Sequence, residues 1–290
     1  KVLLLSSYSH YGGAAQAALR QAEALATHTD VDAQMLVRWQ QAQHAQVVQV
    51  QPGMLGRVGE KLRYGLEKTA LRLRDKQPGW NFQFAQGWSG GSVASHPLVR
   101  QADVLHLHWF GSGWLSLRGL QELAALGKPI FWTLHDEWAF TGGCYYTKGC
   151  ERYLQGCGHC PVLRAGHARD LSAQGFVRKQ ALYQRFRPHI LTPSRWLAAR
   201  AAASPLLGHL QVAAVPNGVD PEAWHVHPKA EARRQLGLPP EGPLLVFTAF
   251  SLADPRKGYA DLEAAVQTLR QEVPDLHLAT GGKPLEVPAP

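Results

Sequence analysis

The residues best suited to chemistry in this sequence fall into a few short clusters. All four cysteines lie within seventeen positions, at Cys144, Cys150, Cys157 and Cys160, spaced C-x5-C-x6-C-x2-C and interleaved with Gly142, Gly143, Gly149, Gly156 and Gly158. Four thiolates on so short and glycine-rich a segment can enclose one tetrahedral zinc ion, and the last pair has knuckle spacing. Two local disulfides are the rival and would require an oxidising compartment. With no signal peptide at the start, zinc is the expectation. Four cysteine ligands leave no open position, so the ion would be structural; His159 could replace one of them.

Three further clusters follow apolar, strand-like runs. Ser6-Ser7-Tyr8-Ser9-His10-Tyr11-Gly12-Gly13 leads into a helical stretch. There Gly12 and Gly13 allow close backbone approach, and the helix start offers free N–H groups to a phosphate or sugar oxygen. The dinucleotide fingerprint G-x-G-x-x-G is absent. His135-Asp136 follows Ile130–Leu134, and His106 and His108 alternate with Leu105 and Leu107. Side chains just beyond the carboxyl ends of parallel strands face the ligand crevice. His108, His135 and Asp136 are therefore candidates for sugar or acceptor contact, while His106 reads as a hydrogen-bonded core residue. Arg256 and Lys257 precede a helix near Gly258, an arrangement suited to a diphosphate.

The elements that must position these groups can be read from periodicity. Strand-like runs cover 2–6, 34–38, 103–107, 129–134, 189–192, 212–215, 244–249 and 276–279, and helical stretches cover 14–28, 55–75, 115–127, 172–186, 194–203 and 258–272. Their alternation predicts an α/β fold with a mostly parallel sheet. Prolines crowd 205–243, placing a boundary there. The expected domains are 1–220, carrying a cysteine-rich insert at 141–163, and 221–290. With 45% hydrophobic and 18% charged residues the 290-residue chain is not disordered, and no apolar run is long enough to span a membrane.

The charge of +8 is uneven: 57–76 holds Arg57, Lys61, Arg63, Lys68, Arg72, Arg74 and Lys76 against Glu60, Glu67 and Asp75, or 7 − 3 = +4. Leu55, Val58, Leu62, Leu66, Ala70 and Leu73 recur there near helical spacing. A core-facing stripe is the preferred reading, and contact of 55–76 with an anionic membrane surface is the alternative. Elsewhere basic residues are scattered, which argues against a nucleic-acid partner.

In combination these pieces resemble the GT-B glycosyltransferases of family four. The resemblance runs from residue 2 to about 282. It rests on Gly12-Gly13-Ala14-Ala15, on Thr133-Leu134-His135-Asp136-Glu137-Trp138-Ala139-Phe140-Thr141-Gly142-Gly143-Cys144 and on Thr192-Pro193-Ser194-Arg195-Trp196-Leu197. Val215-Pro216-Asn217-Gly218-Val219-Asp220 and Asp254-Pro255-Arg256-Lys257-Gly258 complete it. The cysteine insert looks like that of a polysaccharide and colanic-acid biosynthesis subgroup. The resemblance implies a Rossmann-like acceptor domain followed by a nucleotide-sugar domain, and transfer with retention from a nucleotide-sugar donor to a glycan or lipid-linked acceptor. By the same resemblance Arg256 and Lys257 neutralise the departing diphosphate. Gly12 and Gly13 approach it from the other side, His135 contacts the transferring sugar, and no catalytic metal takes part.

One element of that family is missing. Its second domain carries E-x7-E, whereas the glutamates after residue 258 are Glu263, Glu272 and Glu286, with 8 and 13 residues between them. The expectation is a partial donor domain and a chain inactive by itself, belonging to a cytoplasmic protein that could sit at the inner membrane face. The rival readings are a zinc-dependent basic binding module, a non-catalytic scaffold in a glycan-assembly complex, and a Rossmann oxidoreductase disfavoured by the absent fingerprint.

Overall fold

Short apolar runs in the first 219 residues become the strands of one parallel sheet. A computed structural model describes residues 1–51, 54–72, 84–164 and 166–283. The strands are β1 (Val2–Tyr8), β2 (Ala33–Trp39), β3 (Val47–Gln49), β4 (Val104–Leu107), β5 (Ile130–Thr133), β6 (His189–Thr192) and β7 (Val212–Ala214). They lie in the order β3-β2-β1-β4-β5-β6-β7, every neighbouring pair parallel. The helices of this unit are α1 (Gly13–His28), α2 (Met54–Arg72), α3 (Pro97–Gln101), α4 (Leu117–Ala124), α5 (Leu171–Tyr183) and α6 (Arg195–Ala203). The α/β, Rossmann-like expectation is met.

Leu3, Leu4 and Leu5 are all buried because helices cover both faces of the sheet, as a parallel sheet requires. Leu3 and Leu5 join Leu36, Leu105 and Leu107 on one side. Leu4 packs on the other with Met35, Val37 and the Ala18, Leu19 and Ala22 face of α1. Side-chain oxygens fix several helix starts: Ser116 accepts from the Gly119 N–H, Asp170 from Ser172 and Ala173, and Ser194 from Leu197.

The chain divides into two compact units, Lys1–Val219 and Asp220–Pro290. The second contains α7 (Lys229–Gln235), β8 (Leu244–Ser251), α8 (Tyr259–Leu269) and β9 (His277–Lys283), with β8 and β9 parallel. Val246 remains 65% exposed and Phe250 46%. Strands of parallel sheets are ordinarily covered on both faces, so this small sheet is only partly clothed.

The preferred reading of the 55–75 stripe is overturned. Val58, Leu62 and Leu66 are each more than half exposed. What holds α2 to its unit is the opposite face, where Tyr64 packs at Gly113 and the buried Glu67 carboxylate accepts from the backbone N–H groups of Gln86, Gly87 and Ser89. At 100° per residue these two faces lie about half a turn apart. The side chains of Leu55, Arg57, Glu60, Lys61 and Arg72, and residues Leu73, Arg74, Asp75 and Lys76, lie outside the described residues. Among the described residues no helix is long and apolar enough to cross a membrane.

Candidate functional site

The sheet order reverses between β1 and β4, and such a switch point opens a crevice at the carboxyl ends of the strands. The loop after β1 borders it. Gly12 takes φ +85° and caps α1 without a side-chain hydrogen bond, and a Cβ at Gly12 or Gly13 would meet nothing within 4 Å. The backbone here is thus open to a ligand, at the positive end of a 16-residue helix. Gln41 holds the loop in shape: its Oε1 accepts from Ser9 N at 3.0 Å, Ser9 Oγ at 2.9 Å and His10 N at 3.0 Å. Gln16 Nε2 donates to the His10 carbonyl at 3.0 Å.

Aromatic rings stand on the same strand ends. Tyr8 stacks on Trp39 at 4.8 Å between centroids and on Trp109 at 6.0 Å, with Tyr11 at 5.2 Å. All but the exposed Tyr11 are half-buried and give flat apolar faces of the kind on which a sugar can stack. Trp114 and Trp138, by contrast, belong to the core. Sequence reasoning included Tyr8 in the loop cluster but passed over Trp39 and Gln41; only their positions at a strand end could have marked them.

The histidines form a connected group. His106 and His108 lie on one face of β4 with rings 4.5 Å apart, both buried. His106 Nε2 lies 2.8 Å from Thr133 Oγ1, the core-type contact expected for it. His108 Nδ1 lies 3.0 Å from His135 Nε2, joining the ends of β4 and β5. Burial lowers the pKa of His106 and of His135 to about 4, and that of His108 well below its usual 6.5, so all three are neutral at physiological pH.

Asp136 is more a turn-former than a free acceptor. Its Oδ1 accepts from Trp138 N at 2.9 Å, and the Trp109 side chain also donates to its carboxylate. Burial raises its pKa to about 6, against the pull of the Trp138 N–H and of Lys179. Lys179 was not foreseen. Wholly buried on α5, it donates to the carbonyls of Trp138 and Thr141, with Nζ 3.6 Å from the Trp138 ring centroid. Burial lowers its pKa to about 7. A lysine in an otherwise ordinary helix carries no sequence signal of such a role.

The zinc expectation is not supported. Cys144, Cys150, Cys157 and Cys160 are free thiols, so neither rival disulfide forms. Among the described residues no three His, Cys, Asp or Glu side chains converge as a metal would require. Spacing brought the cysteines together, Cys144 within electrostatic reach of the other three, without that convergence. Cys157 Sγ accepts from the Gly142 N–H at 3.3 Å. The Cys144 thiol donates to Cys160, raising the pKa of Cys144 and lowering that of Cys160 to about 7. The insert is held by other means. Gly142 and Gly175 pack backbone to backbone, so that a Cβ at either position would stand only 2.0 Å from a carbonyl oxygen of the opposing segment. Glu137 binds both Thr147 and Arg200.

In the second unit Arg256 is engaged with Asp254, Nε to Oδ1 at 2.9 Å and Nη2 to Oδ2 at 2.5 Å, across the turn Pro255–Lys257. Lys257 is exposed, and Gly258 at φ +73° starts α8 without a side-chain cap. A phosphate at this helix start would compete with Asp254 for the guanidinium. The structure thus joins His108 to His135 directly and sets Gly12, Gly13 and Asp136 on the same strand-end edge. Arg256 and Lys257 belong to the other unit.

Residues 11–223 match the family described as Glycosyltransferase Family 4. A segment of 66 residues is 44% identical to a protein of Escherichia coli (strain K12) named as a colanic acid biosynthesis glycosyl transferase, WcaC. That segment covers 21% of this chain and 16% of the relative, so the chain matches only a small part of that protein's length. Among solved structures, the crystal structure of Anabaena Alr3699/HepE in complex with UDP and glucose is similar at 15% identity and a TM-score of 0.42, over 97% of this chain and 69% of that one.

Proposed function

Because the chain belongs to glycosyltransferase family 4, we propose that it serves transfer of a sugar from a nucleotide-sugar donor to a glycan or lipid-linked acceptor in polysaccharide synthesis. The relative named for colanic acid biosynthesis supports a place in polysaccharide synthesis. The retaining outcome and the GT-B pairing of acceptor and donor domains are carried by the sequence resemblance. The observation that bears most weight is the joined His108–His135 pair on the same strand-end edge as the open Gly12–Gly13 helix start, at the switch point of the sheet.

In this reading His135 contacts the transferring sugar or acceptor, with His108 and Asp136 behind it. The N–H groups beyond Gly12 and Gly13 meet a donor oxygen. Arg256 and Lys257 stabilise the diphosphate as it leaves, which requires Arg256 to loosen its hold on Asp254. No catalytic metal enters the scheme. The half-clothed β8–β9 sheet supports a donor domain completed by further structure, leaving residues 1–290 by themselves with little or no turnover. The protein acts in the cytoplasm, and the exposed Val58, Leu62 and Leu66 stripe of α2, set in a basic segment, rests on an anionic membrane surface.

The test is transfer from a nucleotide sugar by the protein made from its entire reading frame, beside residues 1–290 alone. Loss of more than about 100-fold in His135→Ala and in Arg256→Ala is expected for removal of one transition-state contact. Unchanged rates would remove the role given to that residue, and full turnover by residues 1–290 would refute the incomplete donor domain.

A further inference from the structure

His108 and His135 meet nitrogen to nitrogen, Nδ1 to Nε2 at 3.0 Å. A hydrogen bond between two neutral imidazoles needs one N–H and one lone pair, so two arrangements are available. In the first, His108 donates from Nδ1 and its Nε2 is a bare lone pair. In the second, His135 donates from Nε2, and the proton of His108 sits on its own Nε2.

The far nitrogen of His108 separates them. Nε2 is fully buried and has no hydrogen-bond partner among the described residues. A buried N–H without an acceptor is the rarer orphan in folded proteins; a buried acceptor left unmet is the more tolerated one. The first arrangement is therefore the stable one. It also settles His135: with Nε2 accepting from His108, its single proton must reside on Nδ1. Free neutral imidazole side chains favour the opposite tautomer, so the neighbour imposes this one.

We propose that His108 is a positioning residue that locks His135 in the Nδ1–H tautomer, making His135 a hydrogen-bond donor toward a ligand oxygen rather than a general base. Nε2 of His135 is already taken, which leaves Nδ1 as its ring nitrogen for a ligand. The ligand's identity as a sugar or acceptor hydroxyl rests on the function proposed above; the tautomer does not. The depressed basicity of both rings keeps the pair neutral, so neither donates from two nitrogens at once.

Long-range proton–nitrogen correlation spectra of the uniformly 15N-labelled protein near neutral pH test this directly, with the His135 signals assigned by their loss in His135→Gln. The expected result is a protonated, pyrrole-like Nδ1 and a pyridine-like Nε2. In His108→Phe the proton should move to Nε2 of His135. In His108→Gln, whose amide can still donate, it should stay on Nδ1. A protonated Nε2 on His135 in the unaltered protein overturns the proposal, whether or not either variant folds. So does a tautomer that ignores His108→Phe. A tautomer as expected, with transfer unaffected by His135→Ala, would keep this assignment and overturn the ligand role of His135 instead.

Discussion

Arg200 Nε donates to Glu137 Oε1 at 2.6 Å, tying α6 to the turn that follows His135. Glu137 is buried, and its second oxygen takes the Thr147 N–H at 2.5 Å while Arg200 Nη2 reaches Thr147 Oγ1 at 2.8 Å. One ion pair therefore fixes the strand end, the cysteine insert and a helix together. Arg200→Ala would leave a buried carboxylate without its cation and should destabilise the fold by about 3–5 kcal/mol. Urea unfolding measures it, and a loss below about 1 kcal/mol would show that the pair is not holding this corner.

Lys179 should make stability depend on alkaline pH. Its pKa falls from 10.5 unfolded to about 7 folded. Between those values the unfolded chain binds a proton that the folded state does not, so stability rises with pH across the window, at up to about 1.4 kcal/mol per pH unit. Neutral lysine still has two N–H groups for the Trp138 and Thr141 carbonyls. The stability gap between the native protein and Lys179→Met should accordingly widen from pH 7 to pH 10. A constant gap would contradict the buried, neutral amine.

Acid acts in part through His106, beside His108 and His135. Its pKa drops from 6.5 to about 4. As pH falls below 6.5 the unfolded chain takes up a proton that the folded state refuses, so stability is lost through that window and the loss is complete only below about pH 4. Denaturant melts at pH 7 and pH 5 should differ less for His106→Gln than for the native protein, by about 2 kcal/mol. Equal differences would exclude the linkage.

Gln41→Ala should release the loop before Gly12 without disturbing the core. The expected change is a five- to tenfold higher KM for the nucleotide sugar at nearly constant kcat, roughly 1 kcal/mol of lost pre-organisation. A fall in kcat alone would place Gln41 in the chemistry instead.

Leu62→Asp with Leu66→Asp should abolish co-sedimentation with phosphatidylglycerol vesicles while leaving the melting temperature nearly unchanged, since both side chains are exposed. Equal binding to neutral phosphatidylcholine vesicles, or no binding by the native protein, would refute the membrane surface proposed for α2.

The strands and their parallel sense were legible because buried parallel strands read as short apolar runs between helical periods, as in Val2–Leu5 and Ile130–Leu134. The three-residue β3 and the short α3 and α7 were not, being too brief to show a period. His108 and His135 were found by their place at strand ends. Their mutual contact was not, since it joins residues 27 positions apart on two strands. The cysteine spacing foretold that the thiols lie near one another, as Cys144 and Cys160 do, but nearness alone does not dictate the convergence a metal needs. The stripe on α2 misled for a related reason: periodicity reports which residues share a face, but not which face turns inward. Here one carboxylate, Glu67, outweighed three aliphatic side chains.

That inversion gives α2 its own energetic scale. A helix fastened through the three N–H groups that Glu67 collects, with its apolar stripe outside, can come undone while the sheet stays whole. Its opening is a sub-global event, and its amides should exchange with solvent long before those of β1 and β4, so the element facing outward is also the one that breathes independently of the site.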